Sequence, residues 1–165
     1  MKLGIPVYEG VDLLDVAGPY EMFTWVDASK GLETVIISAD GGPVTTRANV
    51  RLGAHASFAA TKTLHVLWVP GGDPKVLAEI MRDLNSPYLA YCARLRRRRK
   101  WVCSVCEGAL LLARAGLLDG NRATNPLGVP GMSRALSQDP GGYHPSALHR
   151  LWQSADRRRD LIRAR

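Results

Sequence analysis

The chain is short of cysteine, of acidic residues and of long apolar runs, and each shortage narrows what it can be. Three cysteines in 165 residues cannot build a disulfide framework. The lone C-x-x-C of Cys103 to Cys106 has no second pair and no neighbouring histidine, so a structural zinc site is not expected. No apolar stretch approaches the roughly 18 to 20 residues that a membrane span needs. The opening MKLGIPVYEG is too short for a secretory core and lacks a small-residue cleavage site. These absences lead us to expect a soluble, cytoplasmic chain with reduced thiols. Pro70-Gly71-Gly72-Asp73 lacks the Lys-Ser/Thr that a phosphate loop requires, and no nucleotide, metal or other cofactor is expected.

Acidic residues number 15 against 22 Lys and Arg, a formal charge of +7. Residues 1–124 hold 15 basic and 12 acidic side chains, and residues 125–165 hold 7 and 3. Much of the excess lies in two runs, Arg94 with Arg96 to Lys100, and Arg157 to Arg159. No helix-turn-helix, zinc-finger or aromatic RNA-binding pattern accompanies them, so they read as solvated surface and nucleic-acid binding is not expected.

What is present is an alternation of β-rich and helical runs, the pattern of a parallel sheet covered by helices. Lys2 to Tyr8, Glu33 to Ala39, Leu64 to Val69 and Trp101 to Val105 read as strands, with one more beginning over Asn121 to Thr124. Leu13 to Val26, Lys75 to Arg82, Ser86 to Arg99 and Glu107 to Ala115 read as helices. Pro19 fits a first helical turn, which implies an irregular stretch over Asp15 to Gly18. Val44 to Thr46 and Val50 to Leu52 suggest a small hairpin turning at Asn49. Beyond Thr124 the chain holds four of its ten prolines in 41 residues and no β-rich run, so we divide it into an α/β domain, 1–124, and a basic, proline-rich tail, 125–165.

The chemistry concentrates in CSVCEGALLLARAGLLDG, residues 103 to 120. Cys106 falls at a strand-to-helix elbow, which brings a side chain into the open at the carboxyl edge of a sheet. The helix that follows aims its free N–H groups and positive end at the sulfur, so a thiolate is expected. Such a cysteine is a nucleophile or redox sensor; the structural alternative is a buried thiol. The Glu107 amide is placed to donate to an oxyanion, and Gly108 lets the helix pack closely. Cys103 sits inside the strand, out of reach of Cys106, and Cys92 lies on a helix and is expected to be inert.

SVCEGALLLARAGLLDG, with GVDLLDVAGPYEMF at residues 10–23 and VPGG at 69–72, resembles the ThiJ/PfpI superfamily of the class I glutamine amidotransferase-like fold. The nearest branch is that of isocyanide hydratases and of sensor domains in AraC-type regulators. The resemblance spans residues 1–124 and implies a flavodoxin-like α/β three-layer sandwich with a mostly parallel sheet, usually homodimeric. It implies Cys106 as nucleophile, Asp15 as the acid that hydrogen-bonds it, and Gly71 and Gly72 as the loop whose backbone faces the sulfur and, with Glu107, binds an oxyanion or substrate. For Asp15 the structural alternative is a helix cap. The implied activity is hydration of an isocyanide, a small electrophile, to an N-substituted formamide; a non-catalytic redox or small-molecule sensor and a glyoxalase or deglycase are the other activities it allows.

The sequence departs from that pattern in two places. Glu107 stands where hydratases carry Thr, and a carboxylate there would raise the thiol pKa or take part in proton transfer. After Arg122-Ala123-Thr124 the pattern continues Thr-His-Trp, whereas this chain reads Asn125-Pro126-Leu127-Gly128. One inserted base converts codons for Thr-His-Trp-Ala into codons for Asn-Pro-Leu-Gly, so a frameshift near Asn125 is expected, with loss of the usual histidine and of the closing core elements. His144 and His149 in the tail are poor replacements, and His55 and His65 read as loop and strand residues.

Overall fold

The strands are where apolar runs are interrupted by chain-turning residues, and their pairing sets the position of everything else. The computed structural model describes residues 1–95 and 101–119, and Met1–Leu117 form one unit. In chain order the elements are β1 (Lys2–Pro6), α1 (Leu13–Lys30), β2 (Glu33–Ser38), β3 (Val44–Thr45), β4 (Arg51–Leu52), β5 (Ala56–Ser57), β6 (Val66–Val69), α2 (Pro74–Arg82), α3 (Pro87–Arg94), β7 (Trp101–Ser104) and α4 (Gly108–Arg114). Five strands form a sheet in the order β5-β2-β1-β6-β7, every pairing parallel. This is the expected flavodoxin-like α/β arrangement.

Leu3, Ile5, Ile37, Leu67 and Val69 are fully buried, as central parallel strands covered on both faces must be. Gly4 on β1 has no room for a side chain: a methyl there would stand 2.4 Å from Leu64. Helix α1 packs along β2, while α4 sits on β6 and β7 with α2 and α3 against it. The last two start with matching chemistry. Asp73 and Ser86 accept hydrogen bonds from the Lys75 and Leu89 amides, and Pro74 and Pro87 occupy the first turns.

Beside the sheet, β3 and β4 form an antiparallel hairpin turning at Asn49, whose φ of 59° is the left-handed conformation asparagine tolerates. Strand β5 has no apolar run of its own and is drawn into the sheet edge through the Phe58 amide to the Ser38 carbonyl. The expectation for Pro19 is corrected: α1 runs unbroken from Leu13 with Pro19 inside it. Proline there removes the donor for the Asp15 carbonyl four residues back. The Trp68 indole N–H supplies a replacement at 3.2 Å, so the helix need not start late. The strand over Asn121 to Thr124, the boundary at Thr124, the run Arg96 to Lys100, His144, His149 and the segment after Asn125 lie outside the described residues.

Candidate active site

The chain leaves β1, fills the β2 side of the sheet, and returns to β6 on the other flank of β1. Loops diverge at such a reversal, and the crevice beyond the carboxyl ends of the strands becomes the natural ligand site. Three segments meet there: residues 7–12 after β1, Pro70 to Asp73 after β6, and Val105 to Glu107 after β7. Backbone hydrogen bonds tie the first two together, from the Asp12 amide to the Gly71 carbonyl (3.1 Å) and from the Asp73 amide to the Gly10 carbonyl (2.8 Å).

Cys106 stands at the elbow between β7 and α4 with φ 53°, a left-handed backbone rare for a residue with a Cβ. The turn is tight because Gly108 packs on β6: a methyl there would lie 2.2 Å from the Val69 carbonyl oxygen. Gly71 plays the same part opposite the sulfur. A methyl on it would meet Cys106 Cβ at 2.8 Å, and Asp15 Oδ2 and Glu107 Oε2 at 3.0 Å each. The bare α-carbon of Gly71 is therefore the floor on which the thiol and two carboxyl groups converge. Gly72 is equally confined, with the Gly10 carbonyl and the Tyr8 hydroxyl within 3 Å of where its Cβ would be.

The sequence-predicted residues Cys106, Asp15, Glu107, Gly71 and Gly72 are thus together, but three expectations about them change: the hydrogen-bond partner of the thiol is Glu107, and Asp15 acts on it through charge. The Gly71 N–H donates to Asp15 Oδ2 at 2.9 Å, so it orients the acid and is not free for an oxyanion. The thiol is not tuned toward thiolate either. Partial burial and a hydrogen bond to the Glu107 carboxylate push Cys106 up to about 11, with Asp15 adding to the rise, and the Glu107 amide facing the sulfur opposes it only in part. Helix α4 has seven residues, and the amide at its start lowers the thiol less than burial and the two nearby acids raise it. Asp15 itself is raised by burial, against the pull of the Gly71 amide, with Asp12 and Glu107 repelling its charge.

Sequence reasoning missed Asp12, Tyr8, Arg47 and Trp68. Asp12 lies one helical turn before Asp15 in the same motif, a spacing that could have revealed it. Ligand atoms of Asp12, Asp15 and Cys106 fall within 4.8 Å of one another. These three are the described residues that could hold a metal, although Asp15 is engaged by Gly71 and Asp12 by Arg47, whose Nη1 is 3.7 Å from its Oδ1. Arg47 comes from the β3–β4 hairpin, which no local pattern connects to the site. Tyr8 donates to the Pro70 carbonyl at 3.3 Å beneath the cluster, and burial and the surrounding acids hold its phenol strongly protonated. His55 and His65 accept hydrogen bonds from the Ile36 and Lys2 amides; His55 is a loop residue as expected, whereas His65, read as a strand residue, sits in a bend just before β6. Cys92 is buried on α3, and burial raises Cys103 on β7. No helix among the described residues is long and apolar enough to cross a membrane.

Comparison with known proteins bears on this arrangement. The model of the DJ-1/PfpI family matches residues 1–144. A Streptomyces lividans protein from the cpoL 5' region is 36% identical over 125 residues, 74% of this chain and 85% of that protein. The isonitrile hydratase of Pseudomonas putida is 30% identical over 124 residues, 75% of this chain and 51% of the hydratase, so the chain spans about half of that enzyme's length. The HTH-type transcriptional regulator CdhR of Pseudomonas aeruginosa is 30% identical over 89 residues, 54% of this chain and 25% of the regulator. A ThiJ/PfpI family protein from Pseudomonas syringae superposes with a TM-score of 0.66 at 34% identity, over 75% of this chain and 49% of that one.

Proposed function

The chain belongs to the DJ-1/PfpI family, and from that premise we propose that it is a cysteine-dependent enzyme hydrating isocyanides to N-substituted formamides. The observation that carries the reading is the convergence of Cys106 with Asp15 and Glu107 around the bare face of Gly71. An isocyanide needs a nucleophile and a proton at the same carbon, and a protonated thiol between two carboxyl groups supplies both.

Cys106 Sγ bonds to the terminal carbon as its proton passes to Glu107, the hydrogen-bond partner of the thiol. Asp15, raised by burial and with Oδ2 occupied by Gly71, protonates that carbon from its other oxygen. The product is a thioimidate, S–CH=N–R. Water then adds to the same carbon, giving one proton to Asp15 while Glu107 protonates the nitrogen. Collapse breaks the C–S bond, forms the formyl C=O and returns the hydroxyl proton to sulfur. The formamide leaves with Cys106, Asp15 and Glu107 in their starting states. Glu107 replaces the Thr hydroxyl of the hydratase pattern with a stronger base, which suits a nucleophile that starts as a thiol. A cytoplasmic homodimer acting on a small electrophile completes the reading, and light scattering tests the dimer.

The regulator's match supports a second reading, a ligand-binding domain without turnover. Wild type and Cys106→Ala are incubated with an alkyl isocyanide and with methylglyoxal, following formamide and lactate by NMR. Cysteine-dependent formamide is expected. Cysteine-dependent lactate selects carbonyl chemistry, and ligand-induced stabilisation without either product selects the binding domain.

A further inference from the structure

We propose that Trp68 is a positioning residue for Asp15, made necessary by Pro19 and acting through the Asp15 backbone carbonyl; this rests on the reading of Asp15 as the acid beside Cys106. An α-helical carbonyl is normally held by the N–H four residues on, and Pro19 has none. The vacancy falls on the one residue of α1 that the site uses. Trp68 Nε1–H donates to that carbonyl at 3.2 Å, and the Phe23 ring meets the Trp68 ring edge-on at 5.8 Å, fixing the indole's direction. Trp68 stands on β6, two residues before Pro70 and three before Gly71, whose N–H holds the Asp15 carboxyl. One short stretch of chain therefore grips Asp15 at its backbone and at its side chain, so that helix, acid and the Gly71 floor shift together or not at all. A phenylalanine at 68 could keep the packing but not the grip.

The test uses the full chain as Trp68→Phe, Pro19→Ala and the double variant, with Asp15→Asn as reference. Pro19→Ala restores an amide donor to the Asp15 carbonyl from within the helix, so it rescues the indole's loss if the carbonyl bond is what matters. The first readout is the pH profile of Cys106 alkylation by iodoacetamide, followed on the Cys106 peptide by mass spectrometry; it does not depend on any substrate. Loosening Asp15 weakens its push on the thiol, so Trp68→Phe moves the profile to lower pH, part of the way to that of Asp15→Asn. The double variant returns to wild type. The second readout is formamide formation, where Trp68→Phe lowers kcat about threefold to tenfold, the worth of one hydrogen bond, with KM unchanged. A Trp68→Phe profile superimposable on wild type, or a double variant as displaced as the single one, overturns the proposal. If wild type forms no formamide, the hydratase reading fails while the alkylation profiles still judge Trp68. If Trp68→Phe does not fold, solvent exchange of the indole proton in the wild-type chain decides: protection supports the bond, and free exchange overturns it.

Discussion

Adding one methyl at Gly71 separates the requirements of the site from those of the fold. Gly71 has no left-handed φ, so Gly71→Ala brings no backbone strain and acts through contact alone. Its Cβ would arrive 2.8 Å from Cys106 Cβ and 3.0 Å from Asp15 Oδ2 and Glu107 Oε2. Two of these neighbours are the ends of carboxyl groups that can rotate away, whereas Cys106 Cβ moves only with its backbone. The cost in stability should fall at about 1 to 3 kcal/mol, the usual overpacking range, a melting point lower by about 2 to 12 °C for a chain of this length. The cost to the site is greater, because the displaced Glu107 gives up the bond that, after burial, does most to keep the thiol protonated. We expect the midpoint of Cys106 alkylation to fall from about 11 toward the ordinary thiol value of 9.0, with formamide formation reduced at least tenfold. Circular dichroism melts and iodoacetamide rates between pH 7 and 12 measure the two effects. A variant that keeps the wild-type midpoint while melting cooperatively would refute the inference that Gly71 forms the floor of the cluster.

Three further perturbations have defined outcomes. Gly108→Ala forces its methyl to 2.2 Å from the Val69 carbonyl oxygen, a backbone atom of β6, so it should cost more than about 3 kcal/mol and appear in thermal melts as a much lower or lost transition. Glu107→Gln removes the charge and the strong acceptor at the thiol, so Cys106 alkylation moves to lower pH while formamide formation falls; an unmoved profile would contradict the Glu107 bond. Asp15 is raised in the folded chain above its ordinary value of 3.8, so folding disfavours its ionised form: the chain loses stability as pH rises from below 3.8 through the raised value. Asp15→Asn should therefore melt higher than wild type at neutral pH, with the gap narrowing on acidification below that window, as thermal melts over pH 3 to 8 would show.

Much of the sheet was legible because its central strands are buried on both faces and leave near-continuous apolar runs, as LHVLWV does ahead of Pro70. The elbow was equally open to inspection, since Cys106 follows a strand and precedes Gly108 with no room for a loop. What escaped depended on contacts distant in sequence. Strand β5, two residues long, forms because the edge of β2 offers it partners, not because Ala56-Ser57 has a pattern. Pro19 misled because the donor that permits it inside α1 is the Trp68 indole, 53 positions away from Asp15. The protonation state of Cys106 was misjudged for the same reason: a helix start is visible locally, whereas the desolvation and the facing acid that overcome it are products of folding. Arg47 reaches Asp12 only because the hairpin docks beside the loop after β1 through the Gly10 amide to the Thr45 carbonyl and the Arg47 amide to the Val11 carbonyl.

The most direct examination of the account is intact-protein mass spectrometry of the wild-type chain, quenched with acid within seconds of mixing with excess alkyl isocyanide. A thioimidate on Cys106 adds the whole mass of the isocyanide, maps to the Cys106 peptide, decays as formamide accumulates, and is absent from Cys106→Ala. Formamide produced at equal rates by wild type and Cys106→Ala, with no adduct on that peptide, would contradict it.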